Sequence, residues 1–128
     1  MQVLSLNWTL VMAHYWLGVT CYHQSSHEKA LRSFDSLCQV SPESEIAHYH
    51  AALCCIALGR WECVRDHLEF LTQRGTEDTR VLLHLGKAYR RLNQPLEAAA
   101  AFRRGLEVNP DDEALIQVLA QMTDVQAP

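Results

Sequence analysis

The chain is short of several things that would narrow its chemistry. It has no excess of positive charge: eleven Lys and Arg stand against fifteen Asp and Glu, a net charge of −4. No overall basic field is present to draw in nucleic acid or anionic lipid, and neither is expected as a partner. Glycine and proline are scarce, at five and four of 128 residues, which suits helices. There is no glycine-rich phosphate loop and no nucleophile elbow. Ser25-Ser26-His27-Glu28 holds residue types used in catalysis, but adjacency in a turn does not make a triad, so no enzyme is expected. No run is long and apolar enough for a membrane span. The apolar stretch 3–13 lacks a basic leader, and cutting after it would remove part of a predicted helix, so a cleaved signal peptide is not expected. Lys and Arg are absent before Lys29, whereas Arg80, Lys87, Arg90, Arg91, Arg103 and Arg104 crowd one later segment.

Five cysteines are present (Cys21, Cys38, Cys54, Cys55, Cys63). The number is odd and the spacing is not that of a disulfide-stapled mini-protein. Most fall on predicted helix faces, where Cys behaves as a small hydrophobe. A reducing compartment, the cytoplasm, is the simpler expectation. The pairs Cys63/His67, His50/Cys54 and His23/His27 are each spaced four apart, as two ligands on one helical face would be. None is joined by a second pair in a zinc-finger arrangement, so they read as structural residues, with no metal and no cofactor expected.

What is present is a period. Residues 11–44, 45–78 and 79–112 align without a gap, the last reading TRVLLHLGKAYRRLNQPLEAAAAFRRGLEVNPDD and the first VMAHYWLGVTCYHQSSHEKALRSFDSLCQVSPES. A fixed period of 34 residues marks stacked supersecondary units. In the third unit Leu82, Leu85, Ala88 and Tyr89 form one helical stripe, and Leu96, Ala99, Phe102 and Leu106 a second. Asn93 can adopt the left-handed conformation that ends a helix. Pro95 suits a first turn, and Asn109-Pro110-Asp111-Asp112 breaks one helix and caps the next. Gly59 takes the column of Asn93, and Ser41-Pro42-Glu43-Ser44 that of the Asn-Pro-Asp-Asp turn. In the middle unit Gly75 and Thr76 do the turning. The pattern predicts helices over 8–23, 27–40, 45–57, 61–73, 79–91, 95–108 and 112–124. Residues 1–10 are an N-terminal segment or an extension of the first helix. Residues 113–128 are a capping helix and tail, with Ile116 and Leu119 inward and Glu113, Gln117, Gln121 and Asp124 toward water. The charged Glu28, Arg32, Glu62, Asp66, Arg103 and Glu107 read as solvated outer faces.

These columns resemble the tetratricopeptide repeat. The third unit supplies Leu82, Leu85-Gly86, Tyr89, Ala98, Phe102, Gly105 and Pro110. The first supplies His14, Leu17-Gly18, Cys21, Ala30, Phe34, Leu37 and Pro42. The middle unit is degenerate, with His48, Ala51-Ala52, Cys55, Val64, Leu68, Leu71 and Thr76. The resemblance implies an all-α right-handed superhelical solenoid of helix-turn-helix hairpins: three repeats and a cap in one domain. In physical terms, Gly18, Ala52 and Gly86 are small where two helices cross, Ala30 and Ala98 face them, and Phe34 and Phe102 fill the space below.

The resemblance also implies that the first helix of each hairpin lines a concave groove. Those columns hold Met12, Tyr15, Trp16, Val19, Tyr22 and His23 in the first repeat. They hold Ile46, Tyr49, His50, Leu53 and Ile56 in the second, and Arg80, Leu83, His84, Lys87, Arg90 and Arg91 in the third. An oily surface of this kind marks an interaction site. The expected activity is non-covalent: an adaptor or scaffold holding an apolar or amphipathic segment of another protein on Tyr15, Tyr49 and Leu53, with its acidic residues on Arg80, Lys87 and Arg91. Two alternatives stay open. One is a dedicated secretion-type chaperone, as in small three-repeat proteins resembling the type III translocator chaperones. The other is a self-associating module, possibly a homodimer, with its own N-terminal segment or a twin molecule in the groove. Some family members clamp the terminal carboxylates of heat-shock chaperones with a first-repeat Lys and Asn. Here those columns hold Tyr15 and Val19, so although Arg80 and His84 would keep the third-repeat half, the carboxylate has no cationic seat.

Overall fold

The computed structural model describes residues 2–126, with side chains over 9–122. Seven helices follow one another: α1 (Gln2–His23), α2 (His27–Val40), α3 (Glu45–Leu58), α4 (Trp61–Gln73), α5 (Thr79–Arg91), α6 (Pro95–Val108) and α7 (Glu113–Gln126). No strand occurs among the described residues, and the fold is an all-α helical repeat. None of these helices is long and apolar enough to cross a membrane. The chain divides into two compact units, Met1–Cys63 and Val64–Pro128.

The period is written in the backbone. Ser25, Gly59 and Asn93, spaced 34 apart, all take positive φ, at 61°, 70° and 61°. Each ends the first helix of a hairpin, and the residue after it reaches back across the turn. Ser26 N–H donates to the Cys21 carbonyl, Arg60 to Cys55 and Gln94 to Tyr89, at 2.9, 2.9 and 2.8 Å. This is the Schellman arrangement, which satisfies carbonyls the helix leaves unpaired. The starts repeat too. Ser44 Oγ accepts from Ala47 N–H at 3.2 Å, Asp78 Oδ1 from Arg80 N–H at 2.8 Å, and Asp112 Oδ1 from Leu115 N–H at 3.1 Å. In the first repeat this capping column holds Leu10, which has no oxygen to offer. The helix there is not interrupted, and α1 runs back to Gln2.

In the first unit the core is Ala30, Phe34, Leu37, Ala47, Ala51, Ala52 and Cys54, all nearly or fully buried. The Phe34 ring lies on Gly18, where an added Cβ would sit 2.7 Å from Cζ. In the second unit Ala98, Phe102, Leu115 and Met122 form the buried cluster. Phe102 covers Gly86 in the same way, and Leu115 covers Gly105, with Cδ1 2.6 Å from where a Cβ would be.

Several expectations are corrected. Leu96 is 81 % exposed; the inward stripe of α6 is Ala98, Ala101, Phe102 and Gly105. In α7 Leu115 and Met122 are buried and Leu119 packs against them as expected, while Ile116, expected inward, is 46 % exposed. Leu82, the counterpart of Ile116 one period earlier, is buried in a helix that has a following partner, and α7 has none among the described residues. Leu17 is 54 % exposed although its counterparts Ala51 and Leu85 are buried, because among the described residues no helix covers that face as α2 covers α3. The cysteines are not all free: Cys55 and Cys63 form a disulfide, with Cα atoms 6.1 Å apart. Cys63, expected to be exposed, is half-buried. Asp124 lies beyond the described side chains.

Candidate functional site

The first unit holds the better-formed hollow, about 560 Å³, against about 240 Å³ for one lined by Leu82, Leu85, Tyr89 and others in the second. Val11, Met12 and Tyr15 of α1 form one wall. Leu37 and Ser41 close it at the end of α2, and Glu43, Ser44 and Ile46 form the wall leading into α3. The volume is that of a ligand pocket, and five of the eight lining residues are apolar or aromatic. The geometry has a local cause. The cap at Ser44 starts α3 abruptly after the Pro42 turn, and His48 Nε2 bonds the Pro42 carbonyl at 3.1 Å. The turn is thereby pinned beside the mid-part of α1.

Aromatic rings continue this wall. Tyr15 meets Trp16, His50 and Phe34 edge-on, with centroids 5.4, 5.6 and 6.4 Å apart. His50 lies 5.1 Å from Phe34 and 6.0 Å from Tyr49. Its Nδ1–H donates to the Ile46 carbonyl at 2.9 Å, which fixes the ring where both tyrosines can press on it. Edge-to-face pairs of this kind add about 0.5–1.5 kcal/mol each beyond burial. The fold thus joins Tyr15, Trp16, Tyr49 and His50, four of the expected residues, in one row across α1 and α3.

The others stand apart from the hollow. Val19 and Tyr22 are half-buried farther along α1, and Tyr22 turns its ring edge to His27 and His23, at 5.2 and 6.2 Å. Leu53 and Ile56 are half-buried farther along α3. Ile46, named among the groove columns but not among the principal anchors, lines the hollow and is 58 % exposed. Trp16, which meets Tyr15 edge-on, is 57 % exposed. A large apolar residue in the first turn of a helix, just past its cap, is the signal that would have singled out Ile46.

In the second unit, Arg80, His84, Lys87 and Arg91 recur along α5 at helical spacing. Arg80, Lys87 and Arg91 are exposed. Arg80 is bound to Asp78, Nη2 donating to Oδ2 at 3.0 Å, and that contact holds the Asp78 carboxyl below its usual range. Burial, then the positive Lys87 and Arg80, push His84 below the ordinary imidazole value. Leu83 departs from the expected groove role by packing against the Phe102 cluster.

A family model described as the tetratricopeptide repeat matches residues 79–122. A second, described as subunit 3 of the anaphase-promoting complex (cyclosome), matches residues 10–71. Among curated proteins no sequence matches. Solved structures share the fold at low identity. The first tetratricopeptide domain of Spaghetti (RPAP3), bound to an HSP90 peptide, superposes with a TM-score of 0.84 at 15 % identity, over 94 % of this chain and 95 % of that one. The OM64 domain of Arabidopsis gives 0.81 at 16 %, over 91 % and 96 %. MamA from Desulfovibrio magneticus, from residue 41 to its end, gives 0.85 at 19 %, over 91 % of this chain and 66 % of that one.

Proposed function

Because the chain is a tetratricopeptide-repeat protein, we propose that it is a non-enzymatic protein-interaction module, an adaptor or scaffold, that seats an apolar segment of a partner in the hollow between α1 and α3. The observation that carries this reading is the company of Trp16 and Ile46. Both stay more than half exposed: Ile46 lines the hollow with Val11, Met12, Tyr15 and Leu37, and Trp16 meets Tyr15 of that wall edge-on. Leaving them in water costs roughly 25 cal/mol per Å² of apolar surface, and a partner's anchor residue would recover it. The similar domain of Spaghetti carries an HSP90 peptide. Here the places where such a clamp needs Lys and Asn hold Tyr15 and Val19, which favours an apolar anchor over a terminal carboxylate. Acidic residues of a partner would suit the basic stripe on α5. Three free thiols favour action in the cytoplasm.

A chaperone role is the second reading, favoured by the exposed Leu10, Trp16 and Leu17 on one uncharged helix. A protein that must hold an aggregation-prone client shows such a surface when alone.

The test uses the full chain and amphipathic peptides with one aromatic or aliphatic anchor, alongside scrambled controls. Binding is followed by Trp emission, with Trp16→Phe identifying the reporter. Anchored peptides should bind at micromolar Kd or thereabouts and shift the emission to the blue. Ile46→Asp should weaken them about tenfold or more, roughly 1.4 kcal/mol, without altering the melting temperature. Added salt should matter little. If salt abolishes binding while Ile46→Asp binds like wild type, the hollow is not the seat.

A further inference from the structure

The same turn closes all three hairpins, between the same two columns each time. The helix-ending residue takes positive φ, and the next N–H bonds the carbonyl of Cys21, Cys55 or Tyr89. The residue eight positions on from each of these is Lys29, Cys63 or Glu97. In the first repeat these two columns hold a thiol and an amine, and in the third a phenol and a carboxylate close enough for Glu97 to act on Tyr89. The middle repeat alone sets two thiols together. Their Cα separation of 6.1 Å falls within the span a disulfide accepts. A backbone device that recurs at each hairpin thus creates the proximity, and the cysteines inherit it.

The two sulfurs differ in access. Cys55 is fully buried, in the column that the third repeat fastens by a hydroxyl, Tyr89 O–H donating to Glu69 Oε1 at 2.6 Å. Cys63 is half-buried, in the first turn of α4, where unpaired backbone N–H groups favour negative charge. From the shared turn and this asymmetry we infer that Cys55 and Cys63 form a reversible thiol–disulfide site for small disulfides of the glutathione class, with Cys63 as the entry thiol and Cys55 as the resolving thiol.

The exchange balances. The Cys63 thiolate attacks one sulfur of the oxidised small disulfide and expels one small thiolate, leaving a mixed disulfide on Cys63. Cys55, held by the turn beside Cys63, gives its proton to the small thiolate just expelled and attacks the Cys63 sulfur. The second small thiolate leaves. Two protein thiols are oxidised to one disulfide, and one small disulfide is reduced to two thiols. In reverse, a small thiolate attacks the Cys63 sulfur, the one it can reach, and Cys55 is the leaving group. The remaining thiols compete poorly. Burial, with Asp35 nearby, pushes both Cys38 and Cys54 up to about 11, and Cys21 is buried. A thiol held protonated attacks slowly at neutral pH. The bridge fastens the C-terminal end of α3, whose other end carries Ile46 and His50, so oxidation should raise the melting temperature.

The experiment equilibrates the full chain in buffers of graded reduced-to-oxidised glutathione ratio, quenches with alkylating agent, and maps each cysteine by peptide mass spectrometry. Cys55 and Cys63 should convert together and reversibly in the folded protein, while Cys21, Cys38 and Cys54 stay reduced throughout. Cys55→Ser should accumulate a glutathione adduct on Cys63, whereas Cys63→Ser should leave Cys55 unmodified. A bridge that opens only after unfolding in urea is a fixed staple and overturns the inference. So does a pair that stays reduced at every ratio, or an adduct on Cys55 in Cys63→Ser. If Cys55→Ser does not fold, the wild-type titration and Cys63→Ser decide the matter alone.

Discussion

Gly86 and Phe102 show how closely single positions are matched. A Cβ on Gly86 would stand 2.3 Å from Phe102 Cε1, and the ring has nowhere to go because Phe102 is fully buried. Gly86→Ala should therefore cost about 1–3 kcal/mol through overpacking. Adding Phe102→Leu should recover part of that loss, so that the double variant is more stable than the two single costs predict. Gly59 makes the contrast. Nothing lies within 4 Å of its missing Cβ, but its φ is +70°, so Gly59→Ala should cost only about 1 kcal/mol of backbone strain, with no coupling to any ring. Urea denaturation of the four variants checks this, and additive losses at Gly86 and Phe102 would contradict the packing. Such small-against-large pairs were readable from the aligned columns, because each residue type states the room it needs. The Cys55–Cys63 bridge was not. A spacing of eight suggests no pairing until the turn between them is known to reverse the chain.

At the scale of the helix, the boundaries that punctuation marks were the legible ones. α2, α4, α5 and α6 begin and end where Pro95, Gly59, Asn93 and the Ser/Asp caps put them. The faces of helices were harder to read. In α7 Leu119 packs inward as expected but Leu115 takes the place expected of Ile116, because an apolar stripe wide enough for two partners does not say which partner is present. Leu96 misled for a similar reason, since it sits one turn from the true α6 face. The hollow was legible only in part: the aromatic row was named, while the role of Ile46 depended on how the Pro42 turn folds. The resolved faces yield a paired expectation. Asp112→Ala removes the oxygen that caps α7 and should cost about 0.5–2 kcal/mol. Leu96→Gln, at an 81 % exposed site, should change stability by no more than about 0.5 kcal/mol. Thermal melts of the two variants separate this register from one with Leu96 in the core, in which the order of the losses reverses.

The molecule as a whole carries a net charge of −4, yet α5 gathers positive charge around a histidine, and this local excess governs how stability responds to mild acid. Burial is the first cause that lowers His84 below the ordinary imidazole value of 6.5, Lys87 and Arg80 add to it, and Asp78 opposes it. Above 6.5 the imidazole is neutral in both the folded and the unfolded chain, so it has no effect on the balance between them. As the pH falls below 6.5 the unfolded chain takes up a proton that the folded chain refuses, and unfolding is favoured by mass action. Stability is lost across that window and levels off once the folded state is protonated too. The Asp78 contribution has the opposite origin, a carboxyl held below 3.8, and is lost only in stronger acid. The melting temperature should therefore fall between neutral and mildly acidic pH, and His84→Gln should flatten that part of the curve. High salt screens Lys87 and Arg80 but leaves burial in place, so it should shrink the fall without removing it. A fall that survives unchanged in His84→Gln would move the effect to another of the seven histidines. One that vanishes entirely in salt would make charge, not burial, the first cause.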